Sequence, residues 1–499
     1  MKKDVILAFD IGTTNVKCAA VSVEDGELLH QASAPHVLLK PKENYLEIDP
    51  NVLFGCVERS VAEVVKNTED SCRYLGISFS WFNDCLLLAD ENRKPLTNII
   101  QNDDLRAAGD ILEYFVSKNP QEYCKARGLP PVSMFLAPRS EPLKALWFKR
   151  NEPEIWAKTR YYFDNQQILF SMLGLEPVND DSMSFVKRVE NVRERRWSKE
   201  LLDLYEIPEE WCRERIVDAT EQFGTLDRIG GVELPYSVPV IPGAHDEICA
   251  MLGMGVLPDN PGVISDMMGT SDCVTFMADY TNRDFPETGV LDLRTPFGCY
   301  NVYGHGLTVT GGSFNWLIQK FYGGDFNRLG SLFENARFDG SGNLLFVPLF
   351  SRGATCVKNL SLSTGADDIF RALAEGLVYE LSYNMKENDE TMLRETGHRI
   401  EKIVCSGGQS RADSFLQLRA SVFGLPVQRC ATTEAGAVGA AMLAAVSLGV
   451  YGSFGEAAAK MVRLGKTFEP DPAQREAYLK KESAYRALHD TVSPPRRHR

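Results

Sequence analysis

The sequence predicts an α/β protein with two lobes. Two short turns that combine glycine with hydroxyl residues lie around Gly12 and Gly269, one near the start of the chain and one about halfway along. Apolar strands alternate with amphipathic stretches through the first half. With 499 residues, the chain also exceeds the roughly 100–200 residues typical of one domain, so two or three domains are expected. The simplest interpretation of the two turns is that each lobe carries one of them and that both face a shared phosphate.

The first turn follows an apolar strand. Residues 5–9 are apolar, Asp10 follows, and Gly12, Thr13 and Thr14 form the turn. Gly12 lets backbone N–H groups approach an anion, and the threonines add hydroxyl donors, as in sites that hold a nucleotide's phosphates. No helix start follows, so the turn belongs to a β-hairpin and differs from the P-loop and the dinucleotide-binding loop. An ordinary hairpin turn is the alternative.

Asp10 ends this first strand and faces the turn. A carboxylate beside bound phosphates is well placed to hold Mg²⁺ through water, so we interpret Asp10 as a metal-binding residue. The alternative is a solvated strand end.

Composition excludes several functions. The net charge is −14, from 54 basic and 68 acidic residues, which argues against a general nucleic-acid or anionic-membrane surface. The apolar window 435–451 is rich in glycine and alanine, which predicts a packed interior helix and no membrane span. The twelve cysteines form no C-x-x-C pair and the start, MKKD, carries no signal peptide, so we expect reduced thiols in a cytoplasmic protein.

The remaining elements follow from periodicity and turn residues. Polar residues 179–196 predict a mobile surface insertion, and Trp197 restarts an apolar helix. Asp471, Pro472 and Gln474 predict an N-cap, a first-turn proline and a capping box for the last helix. The other predicted elements are helices at 53–65, 142–149, 247–252 and 412–423, strands at 74–79, 238–241 and 403–405, and a disordered tail at 493–499.

Five motifs in order then resemble those of the FGGY family of carbohydrate kinases. They are DIGTTNVK at 10–17, GAHD at 243–246, GTS at 269–271, TGGS at 310–313 and SGGQ at 406–409. The resemblance spans nearly the whole chain. It implies two actin-like (ribonuclease H-like) lobes with a nucleotide and sugar cleft between them, assigned here as a sugar-binding lobe at 1–246 and an ATP-binding lobe at 247–492.

By this resemblance, Asp246 is the catalytic base and also contacts the substrate. A carboxylate with a pKa near the unperturbed value of about 3.9 is ionised at pH 7 and accepts the proton of a sugar hydroxyl late in phosphoryl transfer. The alternative is an aspartate that caps the helix beginning at Glu247, and capping is compatible with catalysis. His245 is interpreted as a neighbouring structural hydrogen-bond partner.

The resemblance also implies the contacts with ATP, with Mg²⁺ between the two turns. Gly407 and Gly408 would let adenosine lie flat against the backbone, although a plain strand-to-helix turn is the rival interpretation. The stretch 434–441 is interpreted mainly as packing and 310–312 as structural or peripheral. The nucleotide-binding set is Gly12, Thr13, Thr14, Asn15, Lys17, Gly269, Thr270, Ser271, Gly407, Gly408 and Gln409.

Substrate selection departs from the family pattern. The usual Gly-x-Ser-x-Gln-Met-His-Gly is GISFSWFND at 76–84, without the Gln and His. The usual Trp-x-Asp-x-Arg keeps Asp104 and Arg106, which suit bidentate hydrogen bonds to hydroxyls, while Trp81 or Phe82 could pack on a sugar face. Surface charges and core aromatics are the alternatives. Xylulose is therefore not a safe default substrate.

The predicted activity is ATP- and Mg²⁺-dependent phosphorylation of a ketose, polyol or sugar acid. Two alternatives stay open: an actin-like or chaperone-like ATPase that acts on a protein partner, and a catalytically silent sugar sensor. The expected partner is a small carbohydrate, with no nucleic acid and no membrane, and a homodimer is left open.

Overall fold

The structure is a computed structural model that describes residues 2–129, 131–134, 137–191, 194–279, 294–295, 298–307, 309–340, 342–350 and 353–493. The predicted tail at 493–499 lies, apart from Ser493, outside the described residues. The chain forms two compact units. The first contains the described residues of Met1–Gly253, Tyr280–Asn301 and Gly436–Val462, and the second those of Met254–Asp279, Val302–Ala435 and Arg463–Arg499.

This division differs from the predicted one at residues 246 and 247. The helix that begins at Asp246 belongs to the first unit, and so does the late segment Gly436–Val462. The first unit is therefore discontinuous in sequence. Hydrophobic periodicity reports which face of an element is buried and gives no signal of the unit against which it packs.

The elements up to Gly253 alternate strands with helices. In order they are β1 (Lys3–Ile11), β2 (Asn15–Ser22), β3 (Leu28–Pro35), β4 (Glu47–Ile48), α1 (Pro50–Thr68), β5 (Cys72–Trp81), β6 (Leu87–Ala89), β7 (Ile99–Ile100), α2 (Asp110–Ser117), α3 (Pro120–Lys125), α4 (Glu141–Asn151), α5 (Pro153–Lys158), β8 (Tyr161–Phe163), α6 (Asn165–Met172), β9 (Asn179–Asp180), α7 (Asp181–Val186), β10 (Glu190–Asn191), β11 (Arg196–Trp197), α8 (Lys199–Tyr205), β12 (Ile216–Val217), β13 (Gly224–Ile229), β14 (Val232–Val240), β15 (Ala244–His245) and α9 (Asp246–Gly253).

The later elements follow the same α/β pattern. They are β16 (Val263–Met268), β17 (Asp272–Asp279), β18 (Arg294–Thr295), β19 (Gly298–Leu307), α10 (Gly311–Phe321), α11 (Arg328–Asn335), β20 (Leu345–Val347), β21 (Cys356–Lys358), α12 (Ala366–Thr396), β22 (Lys402–Ser406), α13 (Asp413–Phe423), β23 (Val427–Cys430), α14 (Ala435–Ser447), α15 (Phe454–Met461), β24 (Leu464–Phe468) and α16 (Pro472–Val492).

The main sheet of the first unit has the strand order β13-β14-β5-β1-β2-β3 in the described residues. Strands β1, β2 and β3 form an antiparallel meander, and β5 runs parallel to β1. The short strand β15 also pairs in parallel with β5. The residues from Val5 to Phe9 are fully buried because both faces of this sheet are covered, which explains why β1 is a continuous apolar run.

The main sheet of the second unit has the order β18-β19-β17-β16-β22-β23-β24 in the described residues. Its central strand β16 pairs antiparallel with β17 and parallel with β22, as β1 does with β2 and β5. Each unit therefore places a glycine-hydroxyl turn at the end of a hairpin that borders parallel strands.

Most predicted elements are confirmed. The helix predicted at 53–65 is α1, with Asp49 as N-cap and Pro50 in its first turn. The last helix, α16, begins with the predicted N-cap and first-turn proline, because Asp471 accepts a hydrogen bond from the Gln474 N–H at 2.9 Å. The predicted capping box is incomplete, since the Asp471 N–H donates to Ser421 Oγ, which in turn donates to the Gln474 side chain. The other predicted helices and strands are found as β5, α4, β14, α9, β22 and α13.

The predicted mobile insertion at 179–196 is wrong for most of its length. Asn179, Asp180 and Lys187 are fully buried, and in the described part of the segment only residues 194–196 are exposed. The helix predicted to restart at Trp197 begins at Lys199, since Trp197 pairs in strand β11 instead.

Polar side chains of this segment satisfy one another inside the protein. Asp180 accepts a hydrogen bond from Gln166 Nε2 at 2.9 Å, and burial raises the pKa of its carboxyl to about 7. Lys187 Nζ donates to the Tyr162 carbonyl at 3.0 Å and to Gln167 Oε1 at 2.6 Å. A polar segment is expected to lie in water unless buried groups supply hydrogen-bond partners for its side chains. Here helix α6 and its neighbours supply those partners.

The glycine-rich window 435–451 forms α14, and its residues Ala440 to Ala445 are fully buried. A Cβ on Gly439 would lie 1.7 Å from the Cys249 carbonyl oxygen, so α14 packs with backbone-to-backbone closeness on α9. The packed interior helix is confirmed. None of the helices in the described residues combines the length and the apolar composition that a membrane span requires.

Candidate active site

The first glycine-hydroxyl turn connects β1 to β2 as predicted. The Gly12 N–H donates to the Asn15 carbonyl at 3.0 Å, and a Cβ at position 12 would lie only 2.9 Å from that oxygen. Thr13 is half-buried and Thr14 is exposed, so an anion can reach the turn. The close turn explains why glycine is needed here.

His36 supports this turn through two hydrogen bonds, which the sequence did not predict. Its backbone N–H donates to the Thr14 carbonyl at 3.0 Å, and its ring Nε2 lies 3.1 Å from the Gly12 carbonyl, to which it donates. Burial lowers the pKa of His36, so its ring is neutral at pH 7. No sequence motif marks this residue, because β3 brings it alongside the turn.

Asp10 and Lys17 lie opposite each other in the β1–β2 register. Lys17 Nζ is 3.7 Å from Asp10 Oδ2, and Ser80 Oγ donates to Asp10 Oδ1 at 3.1 Å. The Asp10 side chain is 25 % exposed. Among the described residues, no group of three or more His, Cys, Asp or Glu side chains is arranged to hold a metal ion. Asp10 thus offers one reachable carboxylate, which fits a Mg²⁺ ion that keeps most of its waters.

Asp246 begins α9 at the same sheet edge as Asp10. Strand β15 pairs in parallel with β5, and β5 pairs in parallel with β1, so the carboxyl ends of all three strands meet. Gly243 precedes this junction with φ +77°, and a Cβ there would lie 1.7 Å from the Phe79 carbonyl oxygen. Only glycine fits, which explains how the GAHD motif places its aspartate.

The Asp246 carboxylate is accessible to solvent, and its pKa differs from that of a free aspartate. Its Oδ1 accepts a hydrogen bond from the Glu247 N–H at 2.8 Å, and His245 Nδ1 lies 3.2 Å from the same oxygen. Although 48 % of the side chain is exposed, desolvation by the surrounding protein raises the pKa of Asp246 to about 6, against the opposing Glu247 hydrogen bond. The group is ionised at pH 7 and accepts protons more readily than a free aspartate.

Three predicted motifs meet at the second turn, within the second unit. The Thr310 and Gly312 N–H groups donate to the Thr270 carbonyl at 3.0 and 3.1 Å. Gln409 Nε2 donates to the Gly269 carbonyl at 2.7 Å. The residues GTS at 269–271 are exposed and their backbone is braced by the TGGS and SGGQ motifs. The TGGS motif therefore has a structural contact with the turn.

Gly407 and Gly408 differ in what they require. Gly407 has φ +106°, and a Cβ there would lie 2.5 Å from the Met268 carbonyl oxygen. A Cβ on Gly408 would meet no atom within 4 Å. The backbone around Gly407 therefore requires glycine at this position. The open space beside Gly408 is of the kind that the predicted adenosine contact needs.

A buried ion-pair cluster supports the second turn and was missed from sequence. Arg419 is fully buried and pairs with Asp266 and Asp272, one on each strand of the β16–β17 hairpin. Asp272 directly follows the turn and also accepts a hydrogen bond from Thr310 Oγ1 at 2.9 Å. Arg419 lies on α13, far away in sequence, and a lone arginine in a helix gives no signal of such a role.

Asp104 and Arg106, predicted to bind substrate, bind each other. Arg106 donates from Nε to Asp104 Oδ1 and from Nη2 to Asp104 Oδ2, both at 2.8 Å, and also reaches Glu47 Oε1 at 2.6 Å. The Leu46 N–H donates to Asp104 Oδ2 at 2.7 Å, and the Arg106 guanidinium stacks over Tyr45. Substrate contact by this pair would compete with these bonds and stays a prediction.

Trp81 and Phe82 lie in the core of the first unit. Trp81 is fully buried, stacks on Phe79 with ring centroids 4.9 Å apart, and donates from Nε1 to the Pro242 carbonyl at 2.7 Å. Phe82 is 3 % exposed. These contacts match the alternative of core aromatics, and a sugar contact by either ring stays a prediction.

Comparison with known proteins identifies the family. Two family models match the chain: the N-terminal domain of the FGGY family of carbohydrate kinases at residues 5–253 and its C-terminal domain at residues 266–448. The chain belongs to the FGGY family of carbohydrate kinases. This FGGY protein is a carbohydrate kinase, and its α/β fold with two actin-like units is the predicted one.

Its relatives phosphorylate different compounds. A xylulose kinase of Staphylococcus epidermidis is 26 % identical over 98 % of this chain and 97 % of its own length. A gluconokinase of Bacillus subtilis is also 26 % identical, over 95 % and 92 %. The crystal structure of a gluconate kinase from Lactobacillus acidophilus matches this kinase with a TM-score of 0.82, covering 99 % of both chains at 20 % identity. That last likeness concerns the fold alone.

Proposed function

We propose that this kinase transfers the γ-phosphoryl group of ATP to a hydroxyl of a ketose, polyol or sugar acid, with Asp246 as the general base. The observation that carries the proposal is the Asp246 carboxylate at the head of α9, reachable and with its pKa raised to about 6. The relatives named above act on xylulose and gluconate, which supports a small carbohydrate as the acceptor.

The proposed transfer makes one bond, breaks one bond and moves one proton. The substrate oxygen forms a bond to the γ-phosphorus, the bond from that phosphorus to the bridging oxygen of ADP breaks, and the hydroxyl proton moves to Asp246. Among the described residues, the carboxylate accepts the Glu247 N–H through Oδ1, so we assign Oδ2 as the proton acceptor. Positioning and electrostatics supply most of the acceleration in such a loose transition state.

The residues of both turns are proposed to hold ATP. In the first unit these are Gly12, Thr13, Thr14, Asn15 and Lys17, and in the second Gly269, Thr270, Ser271, Gly407, Gly408 and Gln409. The hydroxyl groups of Thr13, Thr14, Thr270 and Ser271 and the ammonium group of Lys17 suit phosphate oxygens. Gly12 and Gly269 are proposed to act through the shape of the turns, because their own N–H groups already donate to the Asn15 and Ser271 carbonyls. For Gln409 the proposed role is indirect, because its side chain already braces Gly269.

Asp10 is proposed to hold Mg²⁺ through water. When bound, the ion would neutralise charge on the phosphates. Lys17 beside Asp10 would balance the carboxylate and contact a phosphate. Asp10→Asn should therefore raise the Mg²⁺ concentration needed for half-maximal activity. A cytoplasmic location and a homodimer stay predictions.

An ADP-release assay with pentuloses, hexuloses, polyols and aldonates tests the proposal. We expect at least one compound to raise ADP release well above the ATPase background, and xylulose to be a poor substrate because residues 79–84 lack the usual Gln and His. Asp246→Asn keeps the size and capping ability of the residue and should lower turnover by about 10²–10⁴-fold. Its melting temperature and ATP affinity should equal those of the parent. Near-parental turnover in this variant would refute the assignment of the base.

A further inference from the structure

A buried nitrogen next to Asp246 has no hydrogen-bond partner in the part of the chain that the structure describes. The His245 ring is held in place, since its backbone N–H donates to Ser182 Oγ at 2.9 Å and its Nδ1 lies 3.1 Å from the Glu247 N–H. The residue is 6 % exposed. Its Nε2 is buried and, among the described residues, makes no hydrogen bond. Buried polar atoms are nearly always paired, so this atom points to a ligand.

The ring is neutral at pH 7, because burial lowers the pKa of His245 to about 4 while the charge of Asp84 opposes this only in part. One ring nitrogen of a neutral imidazole carries a hydrogen and the other a lone pair. A hydroxyl group both donates and accepts. Nε2 therefore forms a hydrogen bond with a hydroxyl in either tautomer.

An ion pair formed by Asp84 and Arg188 lies near the ring. Arg188 Nη2 is 3.4 Å from Asp84 Oδ1, with side chains 29 % and 16 % exposed. Both residues have left-handed backbones, with φ +59° for Arg188 and +53° for Asp84. Arg188 Nε is buried and has no hydrogen-bond partner among the described residues. Strain of this kind in non-glycine residues clusters at ligand sites.

The three residues come together because of the buried segment 179–191. Arg188 follows α7, and Ser182 of α7 accepts the His245 N–H. Asp84 follows β5, with which the strand carrying His245 is paired. Segment 179–191, which resembles a surface insertion in sequence, thus packs beside the candidate base.

We propose that His245 Nε2 and the Asp84–Arg188 pair bind hydroxyls of the carbohydrate and select an uncharged ketose or polyol over a sugar acid. The inference rests on the proposed function. Asp84 pairs with Arg188, and Lys144 Nζ donates to the Asp84 carbonyl at 3.1 Å, so both cations beside Asp84 are already engaged. The Asp246 carboxylate, next to His245 in the chain, would repel a substrate carboxylate bound at His245 Nε2, whereas hydroxyls can bridge a carboxylate and a guanidinium.

Two substitutions at His245 separate ligand binding from ring packing. His245→Asn places an acceptor where Nδ1 lies and removes the atom at Nε2, whereas His245→Gln places a polar atom near Nε2. For the best substrate, we expect His245→Asn to raise KM about tenfold, the loss of one hydrogen bond, with the KM for ATP unchanged. His245→Gln should recover most of this loss, which a purely structural role would not predict.

Asp84→Asn tests the charge argument, and asparagine tolerates the left-handed backbone. With Arg188 no longer neutralised, the ratio of kcat/KM for an aldonate to that for the matching polyol should rise about tenfold. An aldonate as the best substrate of the parent, or an unchanged carbohydrate KM in folded His245→Asn, would overturn the inference alone. No ADP release with any carbohydrate would overturn the proposed function and the inference with it.

Discussion

At the scale of single residues, the proposed role of Asp246 as general base depends on the surroundings of its carboxylate. The carboxylate keeps an exposed side, yet the surrounding protein raises its pKa to about 6. A base with a pKa just below the working pH is mostly ionised and still binds the transferred proton well. Its neighbour His245 stays neutral, so the imidazole adds no positive charge that would lower this pKa.

This environment predicts the pH dependence of the reaction. The protonated carboxyl cannot accept a proton, so kcat/KM should be constant above about pH 7 and fall as the pH drops through about 6. The pH profile with the best carbohydrate measures it. The residual activity of Asp246→Asn should lack this acidic limb. A profile that stays flat down to pH 5 would contradict the raised pKa or the role of the residue.

At the scale of elements, the two turns that we propose to bind phosphate are formed by the same kind of hairpin in both units. The β1–β2 and β16–β17 hairpins each end in a glycine-hydroxyl turn, and each borders a parallel strand. The supports differ, because His36 bonds to the first turn while Gln409 and the Arg419 cluster brace the second. The turn is therefore local, and its rigidity comes from distant residues.

Helix packing gives a second prediction at this scale. Gly439 of α14 meets the Cys249 carbonyl, and a Cβ would lie 1.7 Å from that oxygen. Gly439→Ala should lower the free energy of unfolding by at least ~1–3 kcal/mol, as overpacking does. Gly330→Ala in α11 is the matched control, since its Cβ would meet no atom within 4 Å and should stabilise by ~0.5–1 kcal/mol. Urea unfolding measures both, and equal midpoints would refute the packing argument.

At the scale of the whole molecule, the first unit is completed by a segment from late in the chain. Gly436–Val462 packs on it through Gly439, and Gln222 Nε2 donates to the Ser447 carbonyl at 2.9 Å. Tyr451 also donates its hydroxyl hydrogen to the Val23 carbonyl. The two family domains in sequence therefore do not coincide with the two compact units.

This arrangement predicts how fragments behave. Residues 1–253 alone should lack a cooperative thermal transition, because the covering α14 is absent. The same fragment joined to residues 436–462 by a flexible Gly/Ser linker of ~20 residues should unfold in one transition. Circular dichroism melts of both fragments check this. A cooperative melt of 1–253 at the same temperature as the joined fragment would show that the segment is dispensable.

The sequence by itself determined the α/β class, the two hairpin turns and the junction before Asp246. The turn at Gly12 is a local feature, since the Asn15 carbonyl oxygen lies 2.9 Å from the position of a Cβ on Gly12. Gly243 and Gly407 also mark their turns in the sequence, although the atoms that require glycine there belong to Phe79 and Met268, far away in the chain. Periodicity likewise determined most helices and strands, because one buried face repeats along each element.

Only the tertiary structure decided which polar residues are buried with partners. Segment 179–191 has the composition of a solvated loop, yet its side chains bond to α6 and to His245. Asp104 and Arg106 have the composition of a sugar site, yet they satisfy each other. The physical reason is that a polar group is stable in water or beside a matching polar group, and the identity of that neighbour depends on contacts between residues far apart in the chain.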